Sequence, residues 1–466
     1  MSAQGKVEKA LAAKAKALAP TPARERLALL FDANTFVEIG GFATADGTPA
    51  GVVCGYGAVA GSPVYAFAQD STENGGAVGK AHAAKIEKMY DWALKTGAPV
   101  IGIYDSQGAR VAEGAGALEA YGAMILKANN LSGVVPQISL VLGTCVGTSA
   151  MMACGADFLI MSEKAEFLAA PSVAGGSSAA AAKSGVAHIV EADDKSAIET
   201  ARKLVAMMPL NNLSAPPVFD YQDTAGYEEA LRAACESGAA GKKDIVAAIC
   251  DADSVVEMFP SFGKKVFAAM TTIGGFTVGV IATGGDNLCA NCCAKIARLV
   301  SVWDAFQIPV LTLVNTAGID GDTDGDGLCF AVRDMAKLTH VYAEATTAKI
   351  AVITGKAYGA AYVALASKGA SADYTLAWPS AIISPLSPEA AVAFSYGDRI
   401  TAETPRAQVV ADYIENEASA YTAAAAGHID DVIDPAMTRP ALLAALDLLS
   451  AKRVHKNPKK HGNIPF

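Results

Sequence analysis

Residues 83–108 read AAKIEKMYDWALKTGAPVIGIYDSQG, and residues 293–318 read CAKIARLVSVWDAFQIPVLTLVNTAG. The two stretches align without gaps at a constant offset (318 − 108 = 210). Further along, QISLVLGTCVGT at 137–148 matches KIAVITGKAYGA at 349–360, where the offset has become 360 − 148 = 212. Insertions in loops change an offset in this way. The sequence therefore predicts two copies of one unit, each of about 200 residues.

Each copy begins in the same manner. LLFDANTFVEI at 29–39 resembles AAICDADSVVEM at 247–258, at an offset of 258 − 39 = 219. A β-hairpin is predicted after each stretch, because apolar runs flank glycine-containing turns at Gly61-Ser62 and at Gly274-Gly275.

Short apolar strands then alternate with helices in both copies. The first helix is predicted from Ile86, Met89, Tyr90 and Leu94, which recur at helical spacing. This alternation indicates an α/β layer in each unit. The segment 211–245 is rich in Pro, Gly and polar residues and is expected to connect the units. We therefore place the domain boundary between residues 1–240 and 241–466.

The composition excludes several classes of protein. Hydrophobic residues make up 52% of the 466 residues and charged residues 18%, which argues against extensive disorder. No uninterrupted apolar run reaches membrane-spanning length, and the N-terminal run alternates Ala with Lys like a surface helix, so a cytoplasmic protein is expected. A net charge of −10 argues against a nucleic-acid partner. Nine scattered cysteines argue against a disulfide framework.

Three smaller features are interpreted as structural. Cys289, Cys292 and Cys293 lack a second ligand pair, so we expect buried reduced thiols and no metal. The acidic segment DGDTDGDG at 320–327 begins like a calcium loop but lacks the glutamate at its twelfth position. His188 has no identifiable catalytic partner in the sequence. We expect none of the three to carry chemistry.

No common catalytic motif occurs in the chain: there is no GxSxG, HExxH, Walker-type loop or strand-linked GxGxxG. What remains is a pair of strand–turn–helix junctions at 147–149 and 359–361, built from small residues. Small side chains let a ligand approach the backbone, and N–H groups at a helix N-terminus can stabilise an oxyanion. The same junctions also suit close packing, so spacing alone leaves both interpretations open.

From ARERLALLF (23–31) to KKHGNIPF (459–466) the chain resembles the carboxyltransferase β-subunits of acyl-CoA carboxylases and the related biotin-dependent acyl-CoA decarboxylases. The matching motifs occur in order along the chain: VCGYGAVAGSPVYAFAQD, NGGAVGKAHAAKI, DSQGAR, SGVVPQISLVLGTCVG, SGVAH, AKIARLVSVWDAFQIPVLTLVNTAG, YAEATTAKIAVITGKAYGAAY, ADYTLAWP and IDDVIDPAMTRPALLAAL. The resemblance implies an α/β fold of two tandem crotonase-like ββα-spiral domains (the ClpP/crotonase superfamily) from an internal duplication. It also implies that the N-terminal domain binds acyl-CoA and the C-terminal domain binds biotin.

The implied reaction moves a carboxyl group between carboxybiotin, on a separate carrier protein, and an acyl-CoA. The biotin anion serves as the base, which fits the lack of an obvious protein base, and backbone amides stabilise the thioester and ureido enolates. The residues that the resemblance assigns to catalysis are the amide donors of two oxyanion sites: Gly147 and Thr148 for the acyl-CoA, Ala360 and Ala361 for biotin. Those that it assigns to binding border the same turns: Gln107, Gly108, Ala109 and Val363 for substrate, Tyr358 and Gly359 for biotin.

The chain departs from the family pattern at several of these positions. The family usually has consecutive glycines where this chain has Gly147-Thr148 and Gly359-Ala360, and DSGGAR has become DSQGAR at Gln107. Apolar Val363 occupies the position often tied to acyl-chain selection. We therefore expect the reaction class to be retained and leave the acyl chain open.

The resemblance also implies partners. A biotin carboxyl carrier protein is required, because no biotin-accepting Met-Lys motif occurs here. A biotin carboxylase or a membrane decarboxylase subunit would complete the system, depending on the direction of the reaction. A homo-oligomer is expected, a dimer or a trimer of dimers, in which the acyl half-site of one copy works with the biotin half-site of another. Two alternatives stay open: a crotonase-fold hydratase or hydrolase, and a non-catalytic carrier-binding scaffold.

Overall fold

A computed structural model of the chain describes residues 3–45, 47–170, 176–222, 225–238, 241–320 and 326–465. The chain divides into two compact units, Met1–Ala215 and Pro216–Phe466. Within the described residues, no helix is both long and apolar enough to cross a bilayer.

The first unit is an α/β layer. Its strands are β1 Val37–Ile39, β2 Thr44–Ala45, β3 Thr48–Pro49, β4 Val52–Val59, β5 Ser62–Gln69, β6 Val100–Ser106, β7 Gln137–Val146, β8 Phe158–Ser162, β9 Glu166–Leu168 and β10 Ile189–Glu191. Its helices are α1 Ala3–Ala17, α2 Pro22–Leu30, α3 Lys80–Thr96, α4 Ala115–Leu131, α5 Thr148–Cys154, α6 Ser178–Lys183 and α7 Asp194–Met207. The main sheet runs β1-β4-β5-β6-β7-β8-β10, with β9 paired to the end of β7. All its pairings from β5 onward are parallel.

The second unit repeats this arrangement. Its strands are β11 Val256–Glu257, β12 Val266–Ile273, β13 Phe276–Thr283, β14 Val310–Thr316, β15 Lys349–Tyr358, β16 Tyr374–Ala377, β17 Ile382–Ser384 and β18 Asp431–Val432. Its helices are α8 Tyr227–Ser237, α9 Lys242–Ile249, α10 Ala290–Ala305, α11 Asp326–Glu344, α12 Gly359–Leu365, α13 Pro388–Ser395, α14 Arg406–Tyr413, α15 Ala420–Ala425 and α16 Thr438–Leu449. The sheet runs β11-β12-β13-β14-β15-β16-β18, with β17 paired to the end of β15.

The two sheets match in detail, which supports the predicted duplication. Each has an antiparallel hairpin followed by parallel strands, and each has a register irregularity at the same place. In the first unit it falls between Tyr104 and Ser106, and in the second between Val314 and Thr316. The numbering difference between them equals the offset of the aligned stretches (314 − 104 = 210). Both irregularities lie where a strand runs into the loop that borders the candidate site.

Two local predictions need correction. The first hairpin turns at Ala60-Gly61, one residue earlier than predicted, because Val59 pairs with Ser62; both turn residues have positive φ (48° and 79°). The turn at Gly274-Gly275 is as predicted. On α3, Leu94 is 55% exposed and Ala93 is buried in its place. Ala93 continues the i, i+3, i+4, i+7 face that starts at Ile86.

The segment 211–245 is not a plain connector. It contains α8 and the start of α9, and Leu231 and Ala234 of α8 pack into the core of the second unit. Arg232 of the same helix forms an ion pair with Asp434. These contacts explain why the chain divides after Ala215, so that residues 216–240, expected in the first domain, belong to the second unit.

An aspartate and an arginine hold the first hairpin to its unit. The carboxylate of Asp32 accepts hydrogen bonds from the N–H groups of Ala60 (3.1 Å) and Gly61 (2.9 Å) and from Arg202 (2.6 Å). The Gly61 amide, followed by Arg202, lowers the pKa of Asp32. These hydrogen bonds tie the turn at Ala60-Gly61 to Asp32 and, through Arg202, to α7.

The second unit has the same clamp at the offset of the upstream match (251 − 32 = 219), and here it is buried. Asp251 accepts from Gly274 (2.9 Å), Gly275 (2.8 Å) and Arg439 (2.6 Å), and the Arg439 side chain is only 1% exposed. Burial by itself would raise the pKa of Asp251, but the hydrogen bonds from Arg439 and Gly275 lower it overall.

Replacing Asp251 by Asn is expected to cost about 3–5 kcal/mol of unfolding free energy, because the change leaves a buried guanidinium without its counter-charge. Asp32→Asn is the matched control and should cost much less, since its pair is more than a quarter exposed on both sides. In the wild type the folded-state pKa of Asp251 is depressed, so its contribution is present above the unfolded pKa and is lost as pH falls through the folded value. Urea unfolding of both variants across this acid range measures the difference. Equal costs would contradict the prediction.

Candidate active site

In the first unit, two loops lie side by side where β6 and β7 end. Ser106 pairs with Cys145 across these strands. Beyond them, the Ser106 Oγ lies 3.5 Å from the Ser149 Oγ, and the Gly108 N–H donates to the Ser106 Oγ at 3.1 Å. A Cβ added to Gly108 would lie 3.3 Å from the carbonyl oxygen of Val146, on a residue with φ of +101°. Gly108 therefore lets the two loops approach closely.

Gly147 itself does not present a free donor. Its N–H donates to the carbonyl oxygen of Leu168 at 2.8 Å, which continues the parallel pairing of β7 with β9. Its φ of +62° is the left-handed conformation that glycine adopts without strain. The assignment of Gly147 as an oxyanion donor therefore needs correction: its role is to turn the chain into α5.

The amides that follow Gly147 belong to the first turn of α5. Thr148 and Ser149 are the first two residues of α5, and the N-cap position at Gly147 supplies no side-chain acceptor. Amides at the start of a helix have no partner within the helix. Thr148 is partly exposed whereas Ser149 is buried. The Thr148 N–H is thus the donor at this turn that a ligand can reach.

A second amide comes from the neighbouring loop. Val78 forms a parallel bridge with Ala109, in which Val78 donates to the Gly108 carbonyl and accepts from the Arg110 N–H, each at 2.8 Å. In such a bridge the N–H of the central residue points to the other side. The Ala109 amide is therefore left outside the ladder, in the loop that lies against the start of α5.

A buried chain of hydroxyl groups supports these loops. The Tyr121 hydroxyl contacts the Ser149 Oγ at 2.5 Å, and Ser149 in turn reaches Ser106. Burial raises the pKa of Tyr121 to about 12, so the phenol stays protonated. This network ties α4, α5 and the end of β6 together.

Gln107 lies at the edge of this arrangement. Its backbone N–H donates to the Gly75 carbonyl at 3.0 Å, and its exposed side chain covers Gly75, where an added Cβ would lie 2.8 Å from the Gln107 amide carbon. The glutamine therefore packs against the Asn74–Gly76 turn and forms one rim of the site.

The second unit builds an equivalent pair of loops. Leu288 donates to the Gly318 carbonyl and accepts from the Asp320 N–H, which leaves the amide of Ile319 outside the ladder. Gly318 donates to the Thr316 hydroxyl at 3.4 Å. Ile319 corresponds to Ala109 at the offset of 210, so extending the gap-free alignment by one residue would have identified it from the sequence.

The turn into α12 exposes small residues. Gly359 has a φ of +52°, and a Cβ there would lie 3.0 Å from the Pro385 carbonyl oxygen. Ala360 is exposed and Ala361 is buried, and no side chain caps these first amides. Tyr358 is buried, which raises the pKa of its phenol to about 12. Val363 is 47% exposed on the following turn of the helix.

Two carboxylates near the first site, those of Asp105 and Glu113, are already engaged. Asp105 binds Arg26 at 2.8 Å and accepts from Ser71. Glu113 accepts from the Lys80 N–H at 2.7 Å, at the start of α3. Neither is placed as a free base, which disfavours the hydratase alternative.

The remaining sequence candidates are located as follows. The Nδ1 of buried His188 accepts from the Leu159 N–H at 3.1 Å, which is a structural role. Cys292 and Cys293 are buried, whereas Cys289 is only partly so. Most of the acidic segment 320–327 lies outside the described residues.

The known proteins that this chain resembles belong to one family. The family model described as "Carboxyl transferase domain" matches residues 20–464. The methylmalonyl-CoA decarboxylase subunit alpha of Propionigenium modestum is 38% identical, with 95% of this chain and 93% of that protein covered. The mitochondrial propionyl-CoA carboxylase beta chain of Mus musculus is 34% identical, with 95% and 88% covered.

A solved structure matches the whole chain. The transcarboxylase 12S crystal structure, described as a hexamer assembly with methylmalonyl-coenzyme A and methylmalonic acid bound, superimposes with a TM-score of 0.92 at 32% identity and covers 100% of both chains. The expected fold of two similar crotonase-like domains is thereby confirmed.

Proposed function

Since the chain belongs to the carboxyl transferase family, we propose that it is the carboxyltransferase component that moves a carboxyl group between an acyl-CoA and biotin on a separate carrier protein. The observation that carries the proposal is the paired start of α5 and α12, where each unit offers helix-terminal amides beside a second loop amide. The names of the relatives, decarboxylase and carboxylase subunits, support both directions of this reaction.

The first unit is proposed to bind the acyl-CoA. The amides of Thr148 and Ala109 would bind the thioester oxygen and stabilise the negative charge that develops on it when the α-carbon becomes nucleophilic. Each such donor contributes roughly 2.7–4 kcal/mol of transition-state stabilisation in enzymes where one has been removed. Gly108 and Gln107 would border the acyl-CoA, and Gly147 would set the direction of the turn. Val363 remains the proposed determinant of the acyl chain.

The second unit is proposed to bind the biotin ureido group. Biotin carries the carboxyl group and, once it has given up this group, provides the base for the acyl-CoA. The turn around Gly359 suits it, because Gly359, Ala360 and Ala361 are small and uncharged and Ala360 is exposed in the first turn of α12. Exposed Ala360 would supply the amide that a ligand can reach, whereas Ala361, the second predicted donor, is buried. Tyr358 and Gly359 would contribute backbone only. Ile319 adds a candidate second donor.

Further partners follow from this proposal. The carrier protein must deliver biotin, and a biotin carboxylase or a membrane decarboxylase subunit would determine the direction. The 12S transcarboxylase structure is described as a hexamer assembly, which supports a homo-oligomer. A dimer or a trimer of dimers is proposed for this chain. The cytoplasmic location stays a prediction.

The proposal is tested by incubating the purified protein with carboxyl-labelled malonyl-CoA or methylmalonyl-CoA and free biotin. We expect acid-labile label to appear on biotin, with one of the two acyl-CoAs preferred. The proposal is supported if labelled biotin forms only when the protein, a labelled acyl-CoA and free biotin are all present.

The same preparation tests the alternatives. Hydration of an enoyl-CoA, or hydrolysis of an acyl-CoA, in the absence of biotin would indicate the crotonase-type enzyme. Binding of a biotinylated carrier with no transfer from any acyl-CoA would indicate the scaffold. Either result contradicts carboxyl transfer.

A further inference from the structure

Two cysteines lie in a C-x-x-C arrangement at the start of α10. Cys289 is the N-cap residue of this 16-residue helix, and Cys292 lies one turn later. Their sulfur atoms are 3.0 Å apart. A disulfide bond measures about 2.05 Å, so a small movement brings the two atoms to bonding distance.

The two thiols are not equivalent. Cys289 is partly exposed and Cys292 is fully buried. The hydrogen bond from the Cys292 thiol, together with the positive charge of Lys265, lowers the pKa of Cys289 to about 6. The same hydrogen bond and burial raise the pKa of Cys292. The accessible sulfur is therefore the nucleophile, and the buried sulfur holds the proton.

The pair also adjoins the loop of the second candidate half-site. Leu288, the residue before Cys289, is bonded to Gly318 and Asp320 at 2.8 and 2.9 Å. Lys265 joins this group through an ion pair of 2.6 Å with Asp320. A shift of Cys289 would therefore move Leu288 and, through its two hydrogen bonds, the loop that contains Ile319.

We propose that Cys289 and Cys292 form a reversible dithiol–disulfide pair whose oxidant is a low-molecular-weight disulfide. The Cys289 thiolate attacks one sulfur of this disulfide and releases one thiolate, which gives a mixed disulfide. The Cys292 thiol then loses its proton and attacks the Cys289 sulfur, and the second thiolate leaves. The two protein thiols lose two electrons and two protons in total, and the external disulfide becomes two thiols.

The test uses the full-length protein equilibrated with glutathione and its disulfide at graded ratios, quenched in acid and alkylated with N-ethylmaleimide. The tryptic peptide 266–295 contains Cys289, Cys292 and Cys293. We expect three labels on this peptide under reducing conditions, and one label with the loss of two hydrogens under oxidising conditions. Returning the sample to glutathione should restore all three labels.

Cys289→Ser and Cys292→Ser should each abolish the two-hydrogen loss, whereas Cys154→Ser in the first unit should leave it unchanged. Three labels at every ratio would overturn the proposal. So would oxidation that persists in Cys292→Ser, which would indicate a different pair. Zinc that copurifies at one ion per chain and blocks labelling in the reduced protein would show a metal site instead.

A consequence for activity rests on the proposed function. Oxidation should lower carboxyl transfer to biotin in the wild type and have no effect in Cys289→Ser. The labelling result does not depend on turnover, so absence of transfer in the reduced protein would contradict the proposed function and leave the redox pair standing. A disulfide that forms without changing turnover would overturn the coupling to the loop.

Discussion

Replacing Thr148 by proline is expected to lower the kcat of carboxyl transfer by about 10²–10³-fold while the fold is retained. Thr148 is the first residue of α5, a position at which proline is favoured because its fixed φ is helical and its missing N–H has no partner within the helix. The substitution therefore removes one donor from the proposed acyl-CoA site. Because this donor binds developing charge, KM should change much less than kcat.

Thr148→Val is the matched control, since it removes the hydroxyl but keeps the amide. It should retain nearly normal turnover. Steady-state kinetics of both variants, with thermal unfolding to verify the fold, make the comparison. Normal kcat in Thr148→Pro would remove Thr148 from the site. Proline at 147 would not be informative, because Gly147 has φ of +62° and its N–H bonds to Leu168.

Replacing Ala360 by proline is expected to lower the kcat of carboxyl transfer to biotin by a similar factor, about 10²–10³-fold. Ala360 is exposed in the first turn of α12, where proline is tolerated, so the loss is confined to its amide. Binding of the acyl-CoA, measured by calorimetry, should be unchanged, because the proposed acyl site lies in the first unit. Ala360→Gly keeps the amide and should remain active. Equal activity of the proline and glycine variants would contradict the assignment.

Mixing the two proline variants tests the implied cooperation between copies. If the acyl half-site of one copy works with the biotin half-site of another, random reassociation restores about one quarter of wild-type activity, because half the dimers are mixed and half of their sites are intact. If each copy uses its own two half-sites, the mixture stays inactive.

The duplication and the α/β fold could be predicted from the sequence because they rest on local patterns. The gap-free match of 83–108 to 293–318 corresponds to equivalent strands in the two sheets, and even the register irregularities recur at the same offset. The turn at Gly274-Gly275 was predictable for the same reason.

The predictions that were wrong concern features that depend on contacts between residues far apart in the sequence. The bond from Gly147 to Leu168 depends on β9 returning to pair with β7, which no local pattern indicates. Helix α8 could not be predicted, because it lies in a segment rich in Pro and Gly. Its membership of the second unit depends on burial of Leu231 and on the ion pair of Arg232 with Asp434, which lies near the other end of that unit's sequence. The contact of Cys289 with Cys292 is local in sequence, but it depends on α10 beginning directly after Cys289, which brings the two sulfur atoms to 3.0 Å.

The role of the Thr148 and Ala109 amides is tested most directly by a crystal structure of the protein with an acyl-CoA whose thioester is replaced by an amide. We predict that its carbonyl oxygen lies roughly 2.7–3.1 Å from the backbone nitrogens of Thr148 and Ala109. A carbonyl oxygen held by a side chain or by solvent, away from both nitrogens, would contradict the proposed site.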